Sequence, residues 1–463
     1  MGRREIEQVI GSGIVLKPSN QIKYSYVMIF GSKIMLNLRL INICFLLFIL
    51  FSGRLVYGSG NDQTIIKVGL AIEQDQLLMN LDNSITVLDL VDSQPQTLQI
   101  PGEQFIITAT GNIININYLP VSSGPLVIFP GTKHLTWSFH NYRGAFLVTA
   151  KNGKLNLLNQ LHLEDYLRGV VPKEVPADWP MAALKAQAIT ARTYTIASLN
   201  RHIGKGFNIC ALDHCQVYGG VDAERVSTDQ AVSNTAGEVI TYRGKVISAL
   251  YHSASGGNTA DASEVWSSAV PYLKPVIDWD QNSPYSKWTK SLSWIELQGF
   301  SIRSYPQLGR LRLIIPLDYS KEGKLQKVIL KGDLGEATIT GEQFRFLLGL
   351  PSSKVKIGVV YGPEPFITLW WINNNQYPEA IMANNEIPGL TADLLDPPWD
   401  LPDPWSWLQD KEPRQIICKG SGWGHGVGLS QWGAKGMADS GFDERQILTH
   451  FYPGVTISNL PNK

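Results

Sequence analysis

The chain has 463 residues, 44% of them hydrophobic and 17% charged, which provides for a real core and implies two or three domains. Its 40 basic and 40 acidic residues cancel, and no basic stripe marks a nucleic-acid binder. The 13 tryptophans and 17 tyrosines supply flat apolar faces of the kind that line carbohydrate grooves or fill β-rich cores.

Residues 41–51 (INICFLLFILF) form the only long apolar run. They follow Lys33 and Arg39 and precede the small residues of 53–60. A basic flank, a short apolar run and small residues describe a secretory signal, with Val56 and Gly58 placing cleavage after Gly58. The run is short for a membrane span. Residues 1–34 lengthen the leader; a start at Met35 or retention of the run as a membrane anchor both fit. Residues 1–58 are therefore read as extension and signal, and the protein as exported to the periplasm or cell envelope. Cys44 leaves with the signal, and Cys210, Cys215 and Cys418 remain. In an oxidising compartment Cys210 and Cys215 have a disulfide open to them, leaving Cys418 free or paired.

Residues 60–150 contain short apolar runs split by turns (IIKVGLAI, ITVLDL, QFIITAT, NIININYL, GPLVIF) and read as a small β-rich domain. The core that follows, 151–360, is organised around residues 163–200. Val170 and Val171 read as a strand end stopped by Pro172. Glu174 then lies in a loop between Pro172 and Pro176, with Val175 and Trp179 nearby. A carboxyl held against apolar groups has a raised pKa, as a general acid needs near neutral pH. Pro180 suits a first helical position. Met181, Leu184, Ala188, Ala191 and Thr195 repeat at helical spacing, Ala182, Ala183, Ala186 and Ala188 permit close approach of another element, and Gly204 is a stop signal.

Residues 207–220 (FNICALDHCQVYGG) crowd potential ligands into one loop. A helix is expected over 226–236, a hairpin over 238–252 with Arg243 and Gly244 at its turn, and a glycine-rich loop over 253–259. Residues 290–350 mix helical and strand patterns. Residues 361–415 are dense in Pro and Trp and read as an insertion without regular structure. Residues 416–463 return to the core. There Gly422, Gly424, Gly426 and Gly428 alternate, leaving one face bare for a ligand or another backbone. His425 sits unshielded among them, as a site residue or as the holder of a tight turn. Ser430 suits the cap of a short helix, and Asp443 with Gln446 forms a capping box. The expected fold class is α+β: β-rich, with a central Ala-rich helix near 180–200, several short sheets and a glycine-rich C-terminal segment.

Four blocks in order, YLRGVVPKEVPADWPMAALKAQAITARTYTIAS (166–198), CALDHCQVYGG (210–220), YHSASGGNT (251–259) and GWGHGVGLSQWGAKGMADSG (422–441), together with the looser GEQFRFLLGL (341–350), resemble the stage II sporulation protein D and amidase-enhancer family of cell-wall proteins. The resemblance implies action on peptidoglycan. The sporulation member is a lytic transglycosylase that cuts glycan strands stripped of their stem peptides, and the glutamate of its V-P-x-E-M-P block is catalytic. Here the block reads VPKEVP, which carries the role to Glu174. Another branch is named for enhancing an amidase, so the resemblance also admits a peptidoglycan-binding protein without turnover, acting on an N-acetylmuramoyl-L-alanine amidase.

A transglycosylase needs no external water, because the C6 hydroxyl of the muramoyl sugar attacks its own anomeric carbon. One carboxyl then serves twice, as acid and as base, where most glycosidases need two. Candidate groups to orient the sugar are Tyr194, Gln216, Tyr218, His252, Ser253, His425, Ser430 and Gln431. No cofactor is required by this chemistry. Some family members hold a structural zinc with a cysteine pair and histidine. Here Cys210, His214 and Cys215 match, with His202 as the alternative third ligand because His214 and Cys215 are sequence neighbours. A disulfide is the rival. Expected partners are glycan strands and an amidase; nucleic acid is not expected, and membrane contact only through an uncleaved N-terminal segment.

Overall fold

The computed structural model describes residues 64–80, 85–91, 95–98, 104–130, 134–266, 268–362, 367–371, 379–382 and 412–460. The expected signal and the Trp-rich residues 393–407 lie outside the described residues. Among the described residues no helix is long and apolar enough to cross a membrane. The fold is α+β and β-rich, built from several sheets.

Two sheets occupy the N-terminal part. One has seven strands, in which Ile65–Gln74 pairs antiparallel with Lys154–His162, and this with Ala145–Lys151. The other has six, with Gln76–Asn80 and Gln104–Thr110 near its centre. Alternate residues of these strands face inward; Ile66, Val68, Phe105, Ile107, Leu126 and Leu157 are buried, as period-2 strands against a core require. The same core continues into the helices that follow. The strands Ala145–Lys151 and Lys154–His162 pair as a hairpin across the boundary expected near 150, and buried residues on both sides of it belong to this core.

Helix α1 (Leu163–Glu174) replaces the strand end and loop expected there. Its buried residues, Leu163, Tyr166, Leu167, Val170 and Val171, follow an i, i+3, i+4, i+7, i+8 spacing that is helical rather than alternating. Glu164 and Asp165 suit its N-terminal dipole. Pro172 lies in the last turn, where it removes one backbone bond without ending the helix, because the apolar stripe outweighs that loss. Glu174 is thus the last helical residue, and the Val175 amide closes the helix on the Val171 carbonyl at 3.0 Å.

Helix α2 (Met181–Ala197) is capped by Pro180 rather than starting with it. It stops well short of Gly204, which sits in a separate 3-10 turn, Ile203–Lys205. Leu184, Ala188 and Ala191 enter the first core; Ala186 and Ile189 enter another, formed with Ile240, Val427, Leu429, Met437 and Phe451. A helix buried on both sides needs small residues to let neighbours approach, which accounts for its alanines. Arg192 is fully buried on it, its guanidinium donating to both Glu164 oxygens at 2.7 and 2.8 Å and to the Val232 and Glu238 carbonyls. It ties α1 and α2 to helix α3 (Val226–Asn234) and the strand Glu238–Tyr242. The hairpin turn is as expected, with positive φ at Arg243 and Gly244.

After the short helix α4 (Ala262–Trp266) comes a segment with a core of its own, including Leu297, Ile314, Leu330, Phe344, Ile357 and Ile416. It carries helices α5 (Trp294–Ser304) and α6 (Gly341–Leu348), both opened by capping boxes. Its five-stranded sheet includes Ile367–Trp371, Glu379–Met382 and Glu412–Gly420. The stretch 361–415, read as irregular from its Pro and Trp content, thus contributes strands at both ends: the flanking runs ITLWW and PRQIIC are β-branched and aromatic enough to pair. The chain then returns to helices α7 (Gln431–Asp439) and α8 (Glu444–Phe451), capped by Ser430 and by the Asp443–Gln446 box as expected.

Candidate functional site

A parallel pairing of only two residues on each strand builds the site. Tyr251 and His252 pair with Leu429 and Ser430, and the Trp432 amide donates to the Ser253 carbonyl at 2.9 Å. This sets Tyr251 and Gln431 beside the C-terminal end of α1, where both side chains hydrogen-bond to Glu174. The Val217 amide donates to Glu174 Oε1 at 3.1 Å. Burial raises the Glu174 pKa from its ordinary value, and these three bonds offset part of the rise. Its place at a helix C-terminus, the negative end of the dipole, acts in the same direction as burial. The carboxyl that the sequence placed in a loop is therefore on a helix end, in the apolar setting expected for it.

Tyr251 is the residue that sequence reasoning passed over, although it heads the YHSASGGNT block. Successive strand residues point to opposite sides, so the burial of His252 on one side leaves Tyr251 to face Glu174. Its hydroxyl accepts from Gln216 Nε2 at 3.2 Å, which leaves the hydroxyl proton for the glutamate. Burial holds its pKa well above the usual tyrosine value, so it remains a donor. Gln216 is fully buried: its Oε1 accepts from Thr195 Oγ1 at 2.7 Å and the Tyr166 hydroxyl at 3.4 Å. It orients Tyr251 rather than facing a sugar.

The other sequence candidates divide. Tyr194 packs edge-on against Tyr251 with centroids 6.1 Å apart, and its hydroxyl accepts from Arg201 Nη1 at 2.7 Å. Tyr218 is turned into the core, donating to Asn159 Oδ1 at 2.9 Å and packed on Tyr166. His252 is buried, with Nδ1 3.2 Å from the Val427 carbonyl and its ring 5.5 Å from that of His425. Burial lowers its pKa well below the ordinary value. His425 Nδ1 accepts from the Val427 amide at 3.1 Å, and its carbonyl accepts from the Lys324 ammonium. Burial, and then Lys324, lower its pKa to about 4; it is a neutral hydrogen-bonding group, not an acid or base near pH 7. Ser430 Oγ accepts from the Gly433 amide at 3.1 Å and is hydrogen-bonded to Asp278. Of the eight orienting candidates, Gln431 alone hydrogen-bonds directly to the Glu174 side chain; the carboxyl's other two partners are Tyr251 and the Val217 amide.

The alternating glycines serve close packing. Gly422, Gly424, Gly426 and Gly428 all have φ between 76° and 107°, a region open to glycine. A Cβ on Gly428 would lie 2.1 Å from the Leu250 carbonyl oxygen, and one on Gly433 1.7 Å from Asp278 Oδ1. At Gly422 and Gly428 the bare face admits another backbone; Gly424 and Gly426 lie against the side chains of His252 and Lys324.

Beside Glu174 lies a second cluster. One ligand atom from each of His202, Cys210, His214 and Cys215 falls within 4.8 Å of the others. His202 Nε2 is 3.3 Å from Cys215 Sγ, and His214 Nδ1 is 3.6 and 3.7 Å from the Sγ atoms of Cys215 and Cys210. Metal bonds of about 2.0–2.3 Å in a tetrahedron set ligands roughly 3.3–3.8 Å apart, and these spacings fit. Cys210 and Cys215 are free thiols, not a disulfide. His214 and Cys215, neighbours that can both ligate only through a tight bend, fall together in this cluster, because the turn closed by the Cys215 amide on the Leu212 carbonyl curls the chain tightly.

A sequence profile of the Stage II sporulation protein family matches residues 151–242, which hold Glu174 and the His/Cys cluster. An uncharacterized protein of Brachyspira hyodysenteriae is 30% identical over 333 residues, 72% of this chain and 76% of that protein. The amidase enhancer of Bacillus subtilis is 30% identical over 63% of this chain but only 40% of its own length. Stage II sporulation protein D of the same bacterium is 28% identical over 65% of this chain and 76% of its own. With about three quarters of the Brachyspira protein and of stage II sporulation protein D spanned and the motif blocks in place, the chain belongs to the stage II sporulation protein D and amidase-enhancer family.

Proposed function

We propose that this protein is an exported lytic transglycosylase that cuts peptide-free glycan strands of peptidoglycan between N-acetylmuramic acid and N-acetylglucosamine. Family membership supports a role at the cell wall. The observation that carries the finer reading is Glu174: a desolvated carboxyl whose partners are a backbone amide, a tyrosine hydroxyl and a glutamine, with no second acid among them. In its protonated form Glu174 gives its proton to the glycosidic oxygen. The carboxylate left behind takes the proton of the C6 hydroxyl as that oxygen closes on the anomeric carbon, giving a 1,6-anhydro end. Tyr251 and Val217 hold the carboxylate in this second role, and Gln431 completes its cradle.

We place a structural zinc at His202, Cys210, His214 and Cys215. When bound it would cross-link the loop 202–215; Gln216 and Val217, which follow directly, are the groups that fix Tyr251 and Glu174.

The relative named amidase enhancer favours a second reading, in which the same groove binds glycan without cutting and stimulates a separate amidase. Release of soluble fragments from peptide-free strands separates the two. The first reading requires release by the wild type and loss of about 10²–10⁴-fold in Glu174→Gln, the usual worth of a positioned acid–base group. Equal rates for the two proteins remove Glu174 from the chemistry; no release by the wild type, with acceleration of an amidase, selects the second reading.

A further inference from the structure

Among the described residues two tryptophans stand out as exposed, Trp266 and Trp423, each at 46%. The first packs on His425. The Trp266 ring lies 5.1 Å from the imidazole at 60°. Trp423 precedes His425 by two residues, and Tyr285 supports its indole with centroids 4.6 Å apart. The Trp423 backbone is bonded both ways to Ala254, at 2.7 and 3.2 Å, which fixes it on the segment that carries Tyr251. His425 is itself hydrogen-bonded to the Tyr251 backbone, and the Tyr251 hydroxyl holds Glu174. Contacts therefore run from the carboxyl through Tyr251 to His425 and Trp266, while Trp423 is tied to the same segment at Ala254.

An indole left half in water forgoes apolar burial that this fold achieves elsewhere, as at Trp179 and Trp294. Trp266 meets the His425 imidazole and Trp423 the Tyr285 ring, so each indole stands as a separate aromatic face rather than as part of one apolar patch such as a protein partner would cover. Separate aromatic faces with polar groups beside them suit an alternating ligand, apolar on the faces of its rings and polar at their edges. The His252 Nε2 atom, buried and without a hydrogen-bond partner among the described residues, lies in the same group.

We propose that Trp266 and Trp423 form an outer saccharide subsite, each stacking on one N-acetylhexosamine ring of the strand whose scissile bond is at Glu174. This deepens the glycan-strand reading and rests on it. The subsite should add affinity only for oligomers long enough to reach from Glu174 past His425.

The test titrates β-1,4-linked N-acetylglucosamine oligomers of increasing length into the Glu174→Gln protein by calorimetry, alone and combined with Trp266→Ala or Trp423→Ala. Thermal melts establish that the variants are folded, and Trp266→Phe and Trp423→Phe provide milder versions. The expected result is affinity that rises with length and then levels, with each alanine weakening the long oligomers about tenfold, the short ones less than twofold, and phenylalanine recovering most of the loss. Long oligomers bound within twofold by every tryptophan variant would overturn the subsite while leaving the glycan reading in place. Failure of the Glu174→Gln protein itself to bind any oligomer would overturn both.

Discussion

At the scale of single residues the account turns on how Glu174 holds its proton. Its folded pKa is raised above the ordinary 4.5. Below about pH 4.5 folded and unfolded chains both carry the proton and the group is neutral to stability. As pH rises, the unfolded chain releases the proton first, so stability falls until the folded value is passed. Glu174→Gln removes that slope: its melting temperature should gain on the wild type between about pH 4 and neutrality, and parallel curves would show that the carboxyl is not desolvated. Tyr251→Phe deletes the hydroxyl that bonds Glu174 without changing the ring packed on Tyr194. It should lower kcat by about 10-fold or more, the worth of a bond to a charged group, with KM little changed and the alkaline limb of the rate profile, where Glu174 loses its proton, moved upward. An unchanged profile would show that this bond does not tune the carboxyl. Glu174 was singled out by its VPKEVP block, which resembles the family's V-P-x-E-M-P, with the prolines and apolar neighbours as a weaker local mark. Tyr251 was not, because one tyrosine among 17 carries no mark until its strand partner is known.

At the scale of elements the helix ends are where sequence reasoning succeeded or failed. The caps at Ser430 and Asp443 were readable, since capping is local chemistry. Helix α1 was misread because Pro172 drew attention from a stripe of five buried residues that only a helix aligns. The His/Cys loop was half readable: ligand types were visible, but the curl that lets neighbours 214 and 215 both turn inward is a property of the folded loop. If it holds zinc, the purified protein should carry about one equivalent by elemental analysis, and chelation should lower the melting temperature by several degrees; metal-free protein with an unaltered melt would remove the assignment. The buried Arg192–Glu164 pair joins four elements. Arg192→Met removes the hydrogen bonds to the part-exposed Glu164 and to the Val232 and Glu238 carbonyls and should cost about 1–3 kcal/mol in chemical denaturation; a loss under about 0.5 kcal/mol would show that Arg192 does not bind those elements together.

At the scale of the whole molecule, four groups of residues meet at Glu174 from positions far apart in the chain: α1, the loop at Val217, the strand at Tyr251 and the start of α7. Between the last two the chain builds the separate core of Leu297, Phe344 and Ile416, a long excursion that left the return invisible to local patterns. The order of motif blocks was legible; their convergence through a two-residue pairing was not, since so short a bridge has no periodicity to read. The claim that one carboxyl performs both proton transfers is tested most directly by the mass of the products from peptide-free glycan strands. The account predicts 1,6-anhydro-muramoyl ends, lighter by one water than hydrolytic ends, from the wild type and none from Glu174→Gln. Ordinary reducing ends, or anhydro ends released as fast by the variant, would contradict it.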